Sequence, residues 1–167
     1  MISVTRTYLA MEAPQPFAGT DPPVASLRLT RQTPCAVALY RTLYDQVGRA
    51  HRWTDRTQWS DERLTAHLAL PQIDVWVLRE GDIPAGFFEL ARHDDGSVEI
   101  AYFGLTPAMI GRGVGKWLLA TAVQEAWKLA PTRVWLHTCT LDHPSAMANY
   151  VARGFVPFKT ETYELAT

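Results

Sequence analysis

The chain has 167 residues, of which 47% are hydrophobic and 20% are charged, and its formal net charge at pH 7 is −1. This length predicts a single domain spanning residues 1–167, and the near-neutral charge argues against nucleic acid and membrane surfaces as partners. The two cysteines lie far apart, no apolar run is long enough to cross a membrane, and the N-terminus lacks the core of a signal peptide. These features predict a protein of the reducing cytoplasm.

The pattern of apolar and turn-forming residues predicts alternating strands and helices. In chain order we predict a first or edge strand (2–11), a proline-rich loop (14–23), a strand (24–29), two helices (34–48 and 60–70), three antiparallel strands (73–78, 83–91 and 98–105), a helix ending near 129, a strand (134–141), a helix (144–153) and a last strand (155–164). Residues 1–30 belong to the same predicted domain. Ser60 is expected to cap its helix.

The strand–helix–strand order in the second half requires one parallel strand pair, whereas the preceding hairpins are antiparallel. The sequence therefore predicts an α/β or α+β fold with a mixed, mostly antiparallel central sheet and helices on both faces.

A glycine-rich turn separates the strand at 98–105 from the following helix. Glycines expose the backbone, and the start of a helix leaves N–H groups unpaired at its partly positive end. Two side chains add positive charge beside them. The pattern predicts a binding site for a phosphate or pyrophosphate, formed by Gly111, Arg112, Gly113, Val114, Gly115 and Lys116.

Other phosphate-binding turns fit these residues less well. A Walker-type loop needs a glycine where Ile110 stands and a hydroxyl where Trp117 stands. The dinucleotide fingerprint needs a third glycine where Lys116 stands. A turn that merely connects a strand to a helix remains an alternative at this point.

The Arg112-Gly113-x-Gly115 spacing resembles the pyrophosphate loop of the GNAT family of acyl-CoA-dependent N-acetyltransferases, Gln/Arg-x-x-Gly-x-Gly/Ala, with Ile110 in the Gln/Arg position. The predicted order of elements resembles the GNAT fold over nearly the whole chain. The resemblance implies that acetyl-CoA binds between two splayed strands. It also implies that the backbone of Leu105 and Thr106 pairs with the pantetheine arm.

A second stretch resembles the other GNAT motif, Asn-x-x-Ala-x-x-x-Tyr-x-x-x-Gly-Phe. Ala146, Tyr150, Gly154 and Phe155 keep its spacing, and His143 takes the position of the Asn that contacts the cofactor. The resemblance implies that Tyr150 protonates the leaving thiolate. The alternative is a tyrosine packed in the core.

An amine must lose a proton before it attacks a thioester, so a base is expected. Glu99 has the same offset from the loop as the catalytic Glu of the histone-acetylating GNAT branch, which it resembles in this respect; alternatively, it is a solvated strand residue. Glu89 is a second candidate, and the two carboxylates are expected to face each other across a hairpin. Between the first two helices, where the family has its acceptor loop, Trp53 and Trp59 are expected to wall an amine pocket.

His137, Cys139 and His143 are too few for a structural zinc site, so no metal is predicted. We predict an N-acetyltransferase that moves an acetyl group directly from acetyl-CoA to a primary amine of a small molecule or peptide. The alternatives are a non-catalytic acyl-CoA-binding module and, less favoured, a nucleotide-binding protein. The sequence leaves the acceptor open between polyamine, aminoglycoside, amino acid and protein N-terminus, and a homodimer is compatible with it.

Overall fold

The computed structural model describes residues 1–16 and 21–167, so that part of the predicted proline-rich loop, including Gly19, lies outside the described residues. The strands are β1 (Ile2–Met11), β2 (Leu27–Arg31), β3 (Ile73–Glu80), β4 (Ile83–Arg92), β5 (Val98–Leu105), β6 (Val134–Cys139) and β7 (Val156–Leu165). The helices are α1 (Val37–Gly48), α2 (Asp61–Leu68), α3 (Val114–Trp127) and α4 (Ala146–Ala152), with short 3-10 turns at Arg49–His51 and Pro107–Met109. None of the helices in the described ranges is long and apolar enough to span a membrane.

The strands form one sheet in the order β2-β3-β4-β5-β6-β1-β7, in which β5 and β6 are parallel and the other neighbours are antiparallel. The predicted mixed, mostly antiparallel sheet is confirmed. The N-terminal strand β1 is not at an edge, because Arg6 pairs with Cys139 of β6 on one side and with Glu161 of β7 on the other.

Helices cover both faces of the sheet, as predicted. Leu118 and Leu119 of α3 pack with Phe88 in one buried cluster, and Tyr40 of α1 packs with Phe87 in a second cluster on the opposite face. Because β4 is buried on both faces, its residues 85–91 are buried in succession rather than alternately, and all of them except Glu89 are apolar.

Strands β5 and β6 part soon after they meet. Only two residue pairs join them in the described chain, Val98 with Val134 and Glu99 with Trp135. Beyond these pairs the register of β5 against β4 shifts: Leu90 pairs with Ile100 but Glu89 pairs with Tyr102, which leaves Ala101 as an extra, bulged residue. A bulge bends its strand, and the separation of β5 from β6 opens a cleft in the middle of the sheet.

The same register overturns one expectation. Glu89 and Glu99 do not face each other, because Glu99 pairs with Ala91 and the bulge brings Tyr102 opposite Glu89. The predicted cap of α2 is confirmed: the Ser60 side chain accepts a hydrogen bond of 3.1 Å from the Arg63 N–H. Helix α1 begins three residues after the predicted proline, since the backbone at Ala36 is still extended.

Candidate functional site

The cleft between β5 and β6 has a volume of about 910 Å³, which is within the range of small-molecule sites. Its walls are the turn that precedes α3, the free edges of β5 and β6, the inner side of α4 and the loop that follows α1. The cleft therefore lies where the sheet opens, and one end of it reaches the start of a helix.

The turn at that end has the geometry of an anion site. Gly111 and Gly113 have φ angles of +83° and +77°, in the left-handed region that favours glycine. A Cβ at either position would meet no atom within 4 Å, so the space beside the turn is open. The N–H groups of Gly113, Val114 and Gly115 donate to no other backbone group of residues 1–16 and 21–167. They are available to a bound anion.

The predicted cofactor residues of this turn do not all face the cleft. Gly111, Gly113, Gly115 and Lys116 line it, whereas the Val114 side chain is fully buried in the core beneath. Arg112 forms an ion pair of 3.2 Å with Glu80 on β3 instead. Of the two predicted cations of this turn, Lys116 is thus the one that lines the cleft.

The two residues at the end of β5 differ in availability. Leu105 lines the cleft. The N–H and Oγ1 of Thr106 donate to the Ala85 carbonyl at 2.9 and 3.2 Å, and its own carbonyl accepts from Met109 at 3.0 Å. Thr106 therefore fixes the turn, and its backbone is not free to pair with a ligand.

Tyr150, on α4, lines the cleft and is 8% exposed. Its ring packs against Phe155 at 6.3 Å. Burial, with a smaller contribution from the nearby charge of Asp142, raises the pKa of Tyr150 well above its usual value. The hydroxyl is therefore protonated at neutral pH, and the same shift makes it a weaker acid than a free tyrosine.

His143 also lines the cleft. Its Nδ1 lies 3.2 Å from the Ser145 N–H and 2.7 Å from the Ser145 hydroxyl. These contacts fix the turn that leads into α4, so His143 positions this end of the cleft wall through its own neighbours.

The two carboxylates predicted as bases lie outside the set of cleft-lining residues, on the face covered by α1 and α2. Glu89 is fully buried, with one oxygen 2.5 Å from Arg56 Nη1 and 2.7 Å from the Tyr40 hydroxyl. Its other oxygen is 2.9 Å from His67 Nε2. Burial favours the neutral acid, but the His67 and Arg56 contacts outweigh it and lower the pKa of Glu89.

Glu99 is partly exposed and lies 2.9 Å from His93 Nε2. It pairs across the strands with Trp135, so its side chain shares a sheet face with His137, two residues further along β6. The structure therefore places Glu99 on the same sheet face as His137 but outside the cleft lining, and Glu89 in a separate buried ion pair.

The two predicted acceptor-loop tryptophans are separated. Trp53 lines the cleft and packs on Tyr102 at 5.0 Å. Trp59 packs instead on His67 at 5.4 Å and beneath the Arg63 guanidinium at 4.0 Å, outside the cleft. Only the first can wall a ligand in this cleft.

Several cleft-lining residues were not predicted to bind a ligand: Arg6, His51, Asp55, Tyr102, Asp142 and Tyr163. Arg6 and Tyr163 come from β1 and β7, and no local pattern in the sequence shows that these strands flank one cleft.

His137 also lines the cleft. Burial, followed by the charge of Arg6, lowers the pKa of His137 and keeps it neutral at pH 7. In the part of the chain that the structure describes, no cluster of three or more His, Cys, Asp or Glu could hold a metal.

Known proteins resemble this chain in sequence pattern and in fold. A model of the acetyltransferase (GNAT) family matches residues 38–155. No curated protein sequence matches the chain significantly. The fold is similar to that of a GCN5-related N-acetyltransferase from Sphaerobacter thermophilus (TM-score 0.66, 18% identity, 94% of this chain and 49% of that chain).

Two further structures have a similar fold. One is a GCN5-related N-acetyltransferase from Kribbella flavida (TM-score 0.62, 19% identity, 95% of this chain and 56% of that chain). The other is an aminoglycoside acetyltransferase from an uncultured soil metagenomic sample, in complex with trehalose (TM-score 0.64, 14% identity, 77% of this chain and 88% of that chain). The chain spans about half the length of the Sphaerobacter and Kribbella proteins, and the low identities make these likenesses of fold alone.

Proposed function

Because the chain belongs to the acetyltransferase (GNAT) family, we propose that it transfers an acetyl group from acetyl-CoA to a primary amine. The observation that carries this proposal is that a turn with free N–H groups opens into the same cleft as Tyr150. Such a turn binds phosphate groups well, and the cleft is large enough for the arm that joins them to the acyl group.

Bound there, acetyl-CoA supplies an activated thioester. The N–H groups of Gly113, Val114 and Gly115 would hold its diphosphate, with Lys116 as a nearby countercharge. The free edge of β5 at Leu105 would align the arm along the cleft. These residues would orient the cofactor in the cleft.

The proposed reaction needs one group that donates a proton and one group that accepts a proton. We assign the donor role to the Tyr150 hydroxyl, which would protonate the sulfur as it leaves. For the proton lost by the amine we propose Glu99, acting through water, because it shares the sheet face of His137, which lines the cleft. Glu89 is committed to Arg56 and is the weaker candidate.

We also propose that the protein acts in a reducing cytoplasm, on a small-molecule or peptide amine. Cys35 and Cys139 are both free thiols, which supports a reducing compartment.

The proposal is tested by mixing the protein with acetyl-CoA and a panel of amines and measuring the release of free thiol. Tyr150→Phe should lower kcat by about 100-fold, as expected for loss of a general acid, while the Kd for acetyl-CoA stays the same. Equal losses in binding and turnover would make Tyr150 structural. Tight binding of acetyl-CoA without thiol release on any amine would favour the alternative, a non-catalytic acyl-CoA-binding module.

A further inference from the structure

Arg6 is a cation on the wall of the cleft, at a point that the proposed transfer of the acetyl group does not use. It lies on β1, pairs with Cys139 of β6, and its guanidinium sits 5.1 Å from the centre of the Tyr163 ring. Arg6, Cys139 and Tyr163 all line the cleft. The guanidinium is therefore held in place by a stacked ring while it faces a space large enough for a ligand.

The charge of Arg6 is not neutralised by any described carboxylate, since none lies within ion-pair distance. Its Nε is enclosed and has no hydrogen-bond partner among residues 1–16 and 21–167. Such unsatisfied buried donors are rare in native proteins and call for an explanation, because an unpaired buried polar group costs free energy.

The nearest acid by strand pairing is Glu161, which lies directly across from Arg6 on β7. Its carboxylate is already engaged, with one oxygen 3.0 Å from Lys159 Nζ and the other accepting from the Tyr8 hydroxyl at 3.1 Å. Arg6 thus has no ion-pair partner among the described residues, although an acid stands opposite it, and its polar neighbours are the Tyr8 and Tyr163 side chains.

The walls of this cleft carry both positive and negative side chains. The Arg6 charge helps to keep neighbouring His137 neutral, after the larger effect of burial on the His137 pKa. Two carboxylates also stand on the walls: Asp55 accepts from the Tyr102 hydroxyl at 3.4 Å, and Asp142 accepts at 3.0 Å from the N–H of Cys139, the strand partner of Arg6. An acceptor that carries a positive amine and a negative group would find a complementary charge for each.

From this arrangement we propose that the acceptor is an amine that also carries a carboxylate, such as an amino acid or a short peptide, and that Arg6 binds this carboxylate. The inference rests on the proposed acetyl transfer. Arginine presents paired N–H donors that match the two oxygens of a carboxylate. Polyamines and aminoglycosides carry no anionic group, so they would meet Arg6 as a like charge.

The test compares amino acids and dipeptides with their C-terminal amides as acceptors, with spermidine and kanamycin as carboxylate-free amines. For the wild-type protein, kcat/KM should be about 10- to 100-fold higher for the free carboxylate than for its amide, as expected for a hydrogen bond to a charged group. In Arg6→Gln this ratio should fall to about one, mainly through KM, whereas Arg6→Lys should keep part of it.

Arg133 provides a matched control, because its guanidinium also stacks on a ring of β7, 5.0 Å from the centre of Phe158, but it does not line the cleft. Arg133→Gln should keep the full preference for carboxylates. Circular dichroism and acetyl-CoA affinity check that each variant is folded.

The outcomes separate the inference from the proposed function. Thiol release with spermidine or kanamycin but no preference for carboxylates would overturn the inference alone, as would a preference that survives in Arg6→Gln. If no amine releases thiol, the proposed function fails. Calorimetric titration of the CoA-loaded protein with the same amino acids then decides the inference: binding lost in Arg6→Gln supports it, and absence of binding overturns it.

Discussion

Glu89 has no exposed surface, and each of its carboxylate oxygens has a partner in the folded chain. Arg56, which supplies the charge, belongs to the loop between α1 and α2 that also carries Trp53. The ion pair between Arg56 and Glu89 therefore connects this loop to the middle of the sheet. The Arg56 guanidinium also lies 4.6 Å from the centre of the Tyr102 ring on β5. Glu89 has the chemistry of a base, but its surroundings are those of a residue that holds the structure together through an ion pair.

Glu89→Gln should lower the free energy of unfolding by about 3 kcal/mol, because it leaves the Arg56 charge buried without its counter-charge. Urea denaturation at pH 7 measures this. The matched control is Glu161→Gln, which breaks an ion pair with Lys159 at the surface and should change stability little. A catalytic rather than structural role for Glu89 would appear as a large fall in kcat with unchanged stability.

The same carboxylate should make stability depend on pH. Its pKa is lower in the folded protein than in the unfolded chain, so its contribution is fully present above the unfolded pKa of about 4.3. That contribution is lost as the pH falls through the folded value. Between pH 5 and pH 3, wild-type stability should therefore fall more steeply than that of Glu89→Gln; parallel curves would contradict the assigned shift.

At the scale of elements, the sequence predicts those structural features that depend on residues close to each other in the chain. The cap at Ser60 and the turn at Gly111 and Gly113 are local, because a side-chain oxygen or a missing Cβ acts within a few residues. The position of β1 is not local: its partners are more than a hundred residues away. Its alternation shows a buried face but does not show which strands pair with its edges, so Arg6 could not be assigned to the cleft.

The bulge at Ala101 is a second feature that the sequence does not reveal. Nothing in the alternation of β5 marks an extra residue, and the bulge is recognised only from the pairing with β4. It reverses which side chains of β5 face each helix layer beyond that point. The bulge brings Tyr102 opposite Glu89, whereas Glu99 is already paired with Ala91 by the hairpin register before the bulge.

Gly113→Ala tests the turn before α3. The left-handed backbone at this position should cost about 1 kcal/mol of stability for a residue with a Cβ. The new methyl group would also stand beside the amides that we propose hold the diphosphate, so the affinity for CoA should fall by about 10-fold or more. Calorimetric titration with CoA measures the affinity.

Gly81→Ala is the matched control, since Gly81 has a φ of +61° and, like Gly113, open space where a Cβ would stand. It lies in the β3–β4 hairpin and does not line the cleft. We expect a similar loss of stability with unchanged CoA affinity. Equal losses of affinity in both variants would show that strain, not the site, weakens binding.

At the scale of the whole molecule, the sheet consists of two parts, β2-β3-β4-β5 and β6-β1-β7, that are joined by only two described residue pairs. Beyond these two pairs, β5 and β6 are separated by the cleft. A ligand that occupies it would touch the free edges of β5 and β6 together. We therefore expect the bound cofactor to hold the two parts of the sheet together as well as to supply the acyl group.

Hydrogen exchange measures this coupling. Saturating CoA should slow the exchange of backbone amides on the facing edges of β5 and β6, because fluctuations that open the cleft are suppressed when a ligand bridges it. At a free concentration of about 100 times Kd, the stabilisation should reach about 2.7 kcal/mol. In Gly113→Ala at the same CoA concentration the protection should be smaller. Protection confined to the start of α3, with both strand edges unchanged, would mean that the ligand binds at the turn without joining the two parts of the sheet.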